Sequence, residues 1–200
     1  MQVLQDVEPI WAAAVQMTSN TDWEANLKRA CTYVEQAADA GARLIMLPEN
    51  YGFLGRENDK LPHAQAVEGG VFLEPLRELA QKYRVGVLAG SIPEQGPDAQ
   101  HVYNTSVLIG TSGETLASYR KIHLFDIDIP GEVSFKESSA VAAGEKTVVV
   151  DFEGWKIGLS VCYDLRFAHL YQALVDEGAL ILTVPAAFTL QTGKDHWEVL

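Results

Sequence analysis

The sequence has 200 residues, 48% of them hydrophobic, enough to bury a substantial core in one domain or most of one. Fifteen Lys and Arg against 27 Asp and Glu give a net charge of −12, which argues against general affinity for nucleic acid or anionic membranes. No apolar run approaches a membrane span, and the N-terminus, with Asp6, Glu8 and Pro9, lacks the basic-then-apolar order of a signal peptide, so a soluble cytoplasmic protein is expected.

Residues 1–9 read as an extended leader and 10–200 as the folded domain. The run 10–16 (IWAAAVQ) predicts a short strand. Thr21 as N-cap, with Glu24 three residues on, starts a helix that runs to about residue 40, where Gly41 stops it. A strand over 43–48 follows, so the opening is a βαβ unit with a parallel strand pair. Cys31 falls on the core-facing spacing of that helix with Leu27, Ala30 and Val34 and stays out of the chemistry. Residues 50–61, with Gly52, Gly55 and several charges, read as a loop over a site. The period predicts a helix over 72–83 and a buried strand over 85–92, and 93–100 is turn-rich. Segments 103–109 and 115–119 flank Gly110-Thr111-Ser112-Gly113 as an antiparallel hairpin, whereas 125–141 has no clean period. Strands over 147–152 and 157–161 are joined by a turn at Glu153-Gly154, and a helical pattern over 169–175 leads to a strand over 180–184. This alternation predicts a layered α/β domain with some antiparallel pairs. The chain stops at 197–200 inside a helical pattern with no stop signal, as expected of a piece of a longer chain lacking its C-terminal part.

Three strand exits deliver reactive side chains: Glu49, Lys121 and Cys162. Strand exits are where open sheets collect ligands. Taken alone, Cys162 fits either a nucleophile facing free backbone N–H groups or a small buried hydrophobe. A neutral Cys is only a few per cent thiolate at pH 7 and needs a base or a field to act. Glu49 can take the proton. Lys121 can lower the thiol pKa and then stabilise the oxyanion formed when sulfur attacks a carbonyl or nitrile carbon, together with the backbone N–H after Cys162. That set for acyl transfer contains no metal and no bound cofactor.

Histidine is the usual base for a Cys, but of His63, His101, His123, His169 and His196 only His123 comes near, two residues past Lys121. It reads as either a site-lining or a buried residue. With only Cys31 and Cys162 and no CxxC pattern, a zinc site or disulfide framework is unsupported. A nucleotide binder is equally unsupported, since Gly69-Gly70 is no substitute for GxGxxG at a strand–helix turn.

The segments LIMLPENY with Glu49, YRKIHLF with Lys121 and GLSVCYDLRF with Cys162, joined by NTSVLIG, FDIDIPG and TVPAAFT, resemble the motifs of the nitrilase superfamily of carbon–nitrogen hydrolases. The resemblance covers nearly the whole chain from Trp11 onward. It implies an α-β-β-α sandwich of mixed sheets, normally a homodimer, with Glu49 as general base, Lys121 as oxyanion stabiliser and Cys162 as nucleophile. It also implies a second glutamate after the Lys, which FKES places at Glu137, with Glu132 as the other candidate. The implied reaction forms a thioester on Cys162, releases ammonia or an amine, and then hydrolyses the thioester.

CYDLRF and TGKDHWEVL are most similar to the Nit-type amidases, a branch that includes deaminated-glutathione amidase, the favoured reading, and omega-amidase. Tyr163-Asp164 after the Cys, where aliphatic nitrilases carry Trp-Glu, favours amides over nitriles. Such substrates are small carboxylate-bearing amides. Arg166 is a candidate for their carboxylate, set against a buried ion pair with Asp164. Tyr51, Phe53, Tyr163 and Phe188 are candidate pocket walls or ordinary core. The alternative from another class is a non-catalytic interaction scaffold that keeps the fold.

Overall fold

The computed structural model describes residues 8–129, 133–197 and 199. Its first unit is the expected βαβ. Strand β1 (Ala12–Ala14) pairs in parallel with β2 (Leu44–Met46), and helix α1 (Trp23–Asp39) crosses between them. The N-cap is Asp22 rather than Thr21: its carboxylate accepts the Ala25 N–H at 3.1 Å. Either side chain suits a cap, but a carboxylate also complements the positive end of the helix dipole. Ala30 and Val34 of α1 are fully buried, with Cys31 packed half-buried beside them.

Residues 50–61 are less irregular than their composition suggests, since a 3₁₀ helix occupies Glu57–His63. Helix α2 (Glu74–Tyr83) begins two residues later than the apolar period predicts. Phe72 and Leu73 are buried ahead of it, so periodicity marks packing where hydrogen bonding has not yet begun. Strand β3 (Gly86–Gln95) runs through Pro93, into the segment read as turns. It pairs antiparallel with β4 (Val102–Ile109), which pairs antiparallel with β5 (Thr115–Arg120), the hairpin predicted around 110–113.

The aperiodic stretch 125–141 contains a separate small hairpin, β6 (Asp126–Ile129) with β7 (Val133–Lys136), and then β8 (Val141–Ala142) beside β4. Strands β6 and β7 escape a periodicity reading because they pair only with each other, so alternation has no large core to report. Strands β9 (Val149–Phe152) and β10 (Trp155–Leu159) turn through Glu153 and Gly154, both at positive φ (53° and 87°) as a two-residue hairpin loop requires. A 3₁₀ turn, Cys162–Arg166, precedes α3 (Ala168–Asp176); β11 (Ile181–Thr183) and α4 (Leu190–His196) complete the order.

The two large sheets run β1-β2-β3-β4-β5, with β8 beside β4, and β11-β10-β9. Alternation along the strands assigns their faces. Ile45, Val87, Ala89, Val107 and Ile109 point to α1 and α2, whereas Leu44, Leu88, Leu108 and Tyr119 meet Phe152, Ile157, Leu159 and Val161 of the second sheet. Leu170 and Leu174 of α3 cover the far side of that sheet, where Gly158 admits both Leu174 and Ala179. The layers are therefore α-β-β-α, as the resemblance implies.

Candidate active site

Three strand ends converge between the sheets. Gly90 lets the end of β2 approach β3, since a Cβ there would lie 2.0 Å from the Leu47 carbonyl oxygen. Asn50 N–H donates to Ser91 Oγ at 2.9 Å, locking the turn that presents Glu49. Lys121 leaves β5 with its N–H on the Asn104 carbonyl at 2.9 Å. Its Nζ lies 3.2 Å from Glu49 Oε1 and 2.8 Å from Glu137 Oε2. All three side chains are at most 5% exposed.

Each carboxylate has further donors. Glu49 Oε2 accepts the Ala187 N–H at 2.9 Å, Glu137 Oε2 accepts the Phe125 N–H at 2.6 Å, and the Asn104 amide donates to Oε1 of both, at 2.9 and 3.3 Å. Burial alone would raise the Glu49 pKa, but Lys121, the Cys162 thiol, Lys60 and Asn104 together hold it below the usual glutamate value. Burial likewise opposes the charge on Lys121, and Glu49, Glu137 and Cys162 outweigh it, so the ammonium persists far above neutral pH.

Cys162 follows β10 at φ 47°, a left-handed conformation that strains any residue with a side chain. The strain is held from two sides. Cys162 N–H donates to the Pro185 carbonyl at 2.9 Å, and fully buried Asp164 gathers the Val161 N–H (2.9 Å), Tyr119 hydroxyl (2.7 Å), His123 N–H (3.0 Å) and His123 Nδ1 (2.7 Å). The thiol lies beside the Glu49 carboxylate and the Ala187 N–H. Burial and the Glu49 charge push its pKa well above the ordinary cysteine value, and Lys121 only partly offsets them. Lys121 lowers the thiol pKa as expected, but the net shift is upward, which favours a neutral thiol against an ionised carboxylate.

The carbon–nitrogen hydrolase family profile matches residues 11–200. The chain belongs to the carbon–nitrogen hydrolase family. It is 44% identical over 198 residues to a deaminated glutathione amidase of Synechocystis sp., covering 97% of this chain and 72% of that protein. It is 38% identical over 194 residues to human omega-amidase NIT2, covering 94% and 67%. Among solved structures, Saccharomyces cerevisiae Nit3, a member of the nitrilase superfamily, superposes with a TM-score of 0.85 at 29% identity, over 100% of this chain and 71% of that one. An amidase from Nesterenkonia sp. AN1, carrying acrylamide added at its active site cysteine, superposes with a TM-score of 0.79 at 26% identity, over 94% and 71%.

In this carbon–nitrogen hydrolase the other site candidates divide. Tyr163 joins an aromatic cluster with Phe125 and Phe167 (ring centroids 5.0 and 5.5 Å away), and the Arg166 guanidinium lies 5.6 Å from its ring. Asp164 pairs with His123, so the Arg166–Asp164 ion pair is corrected: the carboxylate turns inward, where backbone N–H groups need an acceptor. His123 stacks on Phe167 at 3.7 Å with its Nδ1 on Asp164 at 2.7 Å; no histidine with a described side chain bonds to Cys162. Tyr51 is fully buried, its hydroxyl on the Phe72 carbonyl at 2.9 Å, and Phe53 is 3% exposed, so both belong to the core under α1 and α2. Phe188 lines an open cleft of about 660 Å³ between the edges of β1 and β11, which meets the cluster at Glu49 and at Pro185 and Ala187, whose backbone groups bond Cys162 and Glu49. Glu132 lies outside the described residues.

Asn104 and the Ala187 and Phe125 N–H groups were not singled out by residue chemistry, and Asp164 was weighed only as a partner for Arg166. Their signal was the segments NTSVLIG, YRKIHLF, TVPAAFT and CYDLRF themselves. Asp164→Ala would leave a phenol, an imidazole and two backbone N–H groups without their acceptor, and is expected to destabilise the protein by about 3 kcal/mol or more. Urea denaturation measures this, and a loss below about 1 kcal/mol would show that Asp164 does not hold the turn.

Proposed function

We propose that this chain is an amidase that cleaves the C–N bond of a small carboxylate-bearing amide through a Cys162 thioester, with deaminated-glutathione amidase activity as the leading reading. The observation that carries it is the Glu49 carboxylate held between the Lys121 ammonium and the neutral Cys162 thiol. Glu49 takes the thiol proton as sulfur attacks the carbonyl carbon, and the C=O electron pair moves to oxygen. Lys121 and the Tyr163 N–H, which has no acceptor among the described hydrogen bonds, receive that oxyanion. On collapse the C–N bond breaks and the leaving nitrogen takes the proton from Glu49. Water then adds to the thioester while Glu49 accepts its proton; the C–S bond breaks and the thiol is restored. Glu137 braces Lys121 and faces the same site, and Arg166 beside Tyr163 receives the substrate carboxylate.

Residues 10–200 form the hydrolase domain in this reading, and the enzyme is a cytoplasmic homodimer, which light scattering tests. Human NIT2, an omega-amidase by name, supports omega-amide hydrolysis as the second reading. The deciding assay follows ammonia or amine release from deaminated glutathione, α-ketoglutaramate, neutral amides and nitriles. Turnover of nitriles alone, or of nothing, would refute the amidase.

The thiol and its base also separate experimentally. Glu49→Gln is expected to cut hydrolysis by about 10²–10⁴-fold, in acylation and deacylation alike. It also removes the charge that raises the thiol pKa, so iodoacetamide should alkylate Cys162 at neutral pH at least as fast as in the wild type. Hydrolysis retained in the Glu49→Gln variant would contradict the assignment of Glu49 as base.

A further inference from the structure

Glu49 and Glu137 are two carboxylates around one ammonium. With Lys121 charged, the trio keeps a net negative charge in a site where the carboxylates are 5% and 3% exposed. Two such groups tend to share a proton, which would leave one of them unable to act as a base. The only other side-chain donor recorded to both carboxylates, among the described residues, is Asn104.

Asn104 is 3% exposed, on β4. Its Nδ2 bonds to Oε1 of Glu49 at 2.9 Å and to Oε1 of Glu137 at 3.3 Å, and its backbone carbonyl accepts the Lys121 N–H at 2.9 Å. One residue therefore touches all three members. Its Oδ1 is buried without a partner. A buried amide normally satisfies both ends, and turning this one over would set its oxygen against two carboxylates. The amide thus keeps an orientation that is unfavourable for itself and favourable for the acids.

We propose that Asn104 is a positioning residue for the hydrolysis set out above, dividing Glu49 from Glu137 and fixing the Glu49 carboxylate toward Cys162. The inference rests on that reading of Glu49 as base. It acts on the base and not on the substrate, so its loss moves kcat and the acid limb rather than KM.

The test compares Asn104→Leu, which keeps the volume and removes the donors, with Asn104→Ser, whose hydroxyl can still donate to one carboxylate. Asn104→Leu is expected to lower kcat about 10²-fold with KM within about threefold of wild type, and to move the acid limb of kcat/KM upward. Asn104→Ser should recover part of both. Infrared titration should show a carboxyl that stays protonated to higher pH in the Leu variant. Wild-type kcat and acid limb in both variants, or a loss carried by KM with the limb unmoved, would overturn the proposal. If the Leu variant does not fold, the Ser variant decides: its limb must move upward, and an unmoved limb overturns the role. If folded wild type hydrolyses no amide, the hydrolase reading fails, while the infrared titration still reads the carboxylates and decides for or against Asn104.

Discussion

Cys162→Ala is expected to remove amide hydrolysis, by about 10⁴-fold or more, and to leave the fold intact. In the proposed mechanism the sulfur is the atom to which the acyl group is transferred, and no neighbour replaces it: Lys121 is held as an ammonium by two carboxylates, and Glu49 would be spent as the base. Stability moves the other way or not at all. Cys162 sits at φ 47°, where alanine is no worse than cysteine, and the substitution removes a thiol pressed against a carboxylate. Product release in a burst and steady-state assay, with thermal melting alongside, measures both. Retained turnover would take Cys162 out of the chemistry, and a melting point lower by more than about 5 °C would mean the sulfur is part of the packing.

The pH dependence of the wild type follows from the same pair. In the proposed reaction Glu49 must be ionised to accept the thiol proton, and its neighbours hold its pKa below the usual glutamate value. The acid limb of kcat/KM should therefore fall below the range of an ordinary glutamate. The raised thiol places no limb near neutrality, because the proton leaves during attack and not before it. A bell centred on neutral pH, the mark of a Cys–His pair, would contradict this.

The layers were legible because their strands alternate against large neighbours. Leu44, Leu88 and Leu108 face one way and Ile45, Val87 and Ile109 the other, so period two and the Gly41 stop fix the βαβ unit and both hairpins. The segment 125–141 was not legible, although it delivers Glu137, because its hairpin pairs only with itself. The convergence of Glu49, Lys121 and Cys162 was legible in the charged and nucleophilic side chains at strand exits. The groups that hold them were not legible, since backbone N–H donors such as those of Ala187 and Phe125 carry no residue type. Tyr51 shows the converse error: an aromatic two residues past the base lies beside the site in sequence and under the helices in space.

Lys121→Met is expected to be the most damaging substitution for stability and chemistry together. It keeps the stem of the side chain and removes the one positive charge that, among the described residues, contacts both Glu49 and Glu137. Breaking a buried pair leaves an uncompensated charge and costs about 3–5 kcal/mol. The loss should depend on pH, with a sign fixed by Glu49. In the wild type its folded pKa is depressed, so it contributes stability that is present above the unfolded value and lost as pH falls through the folded one. Without Lys121, desolvation dominates and the folded pKa rises above the unfolded value. The contribution then reverses: no penalty below the unfolded pKa, and a growing one as pH climbs toward the folded pKa. The gap between variant and wild type must therefore widen from pH 4 to pH 7. Urea denaturation at the two pH values reads it, and a gap equal at both would mean that Lys121 stabilises the cluster by packing rather than by charge.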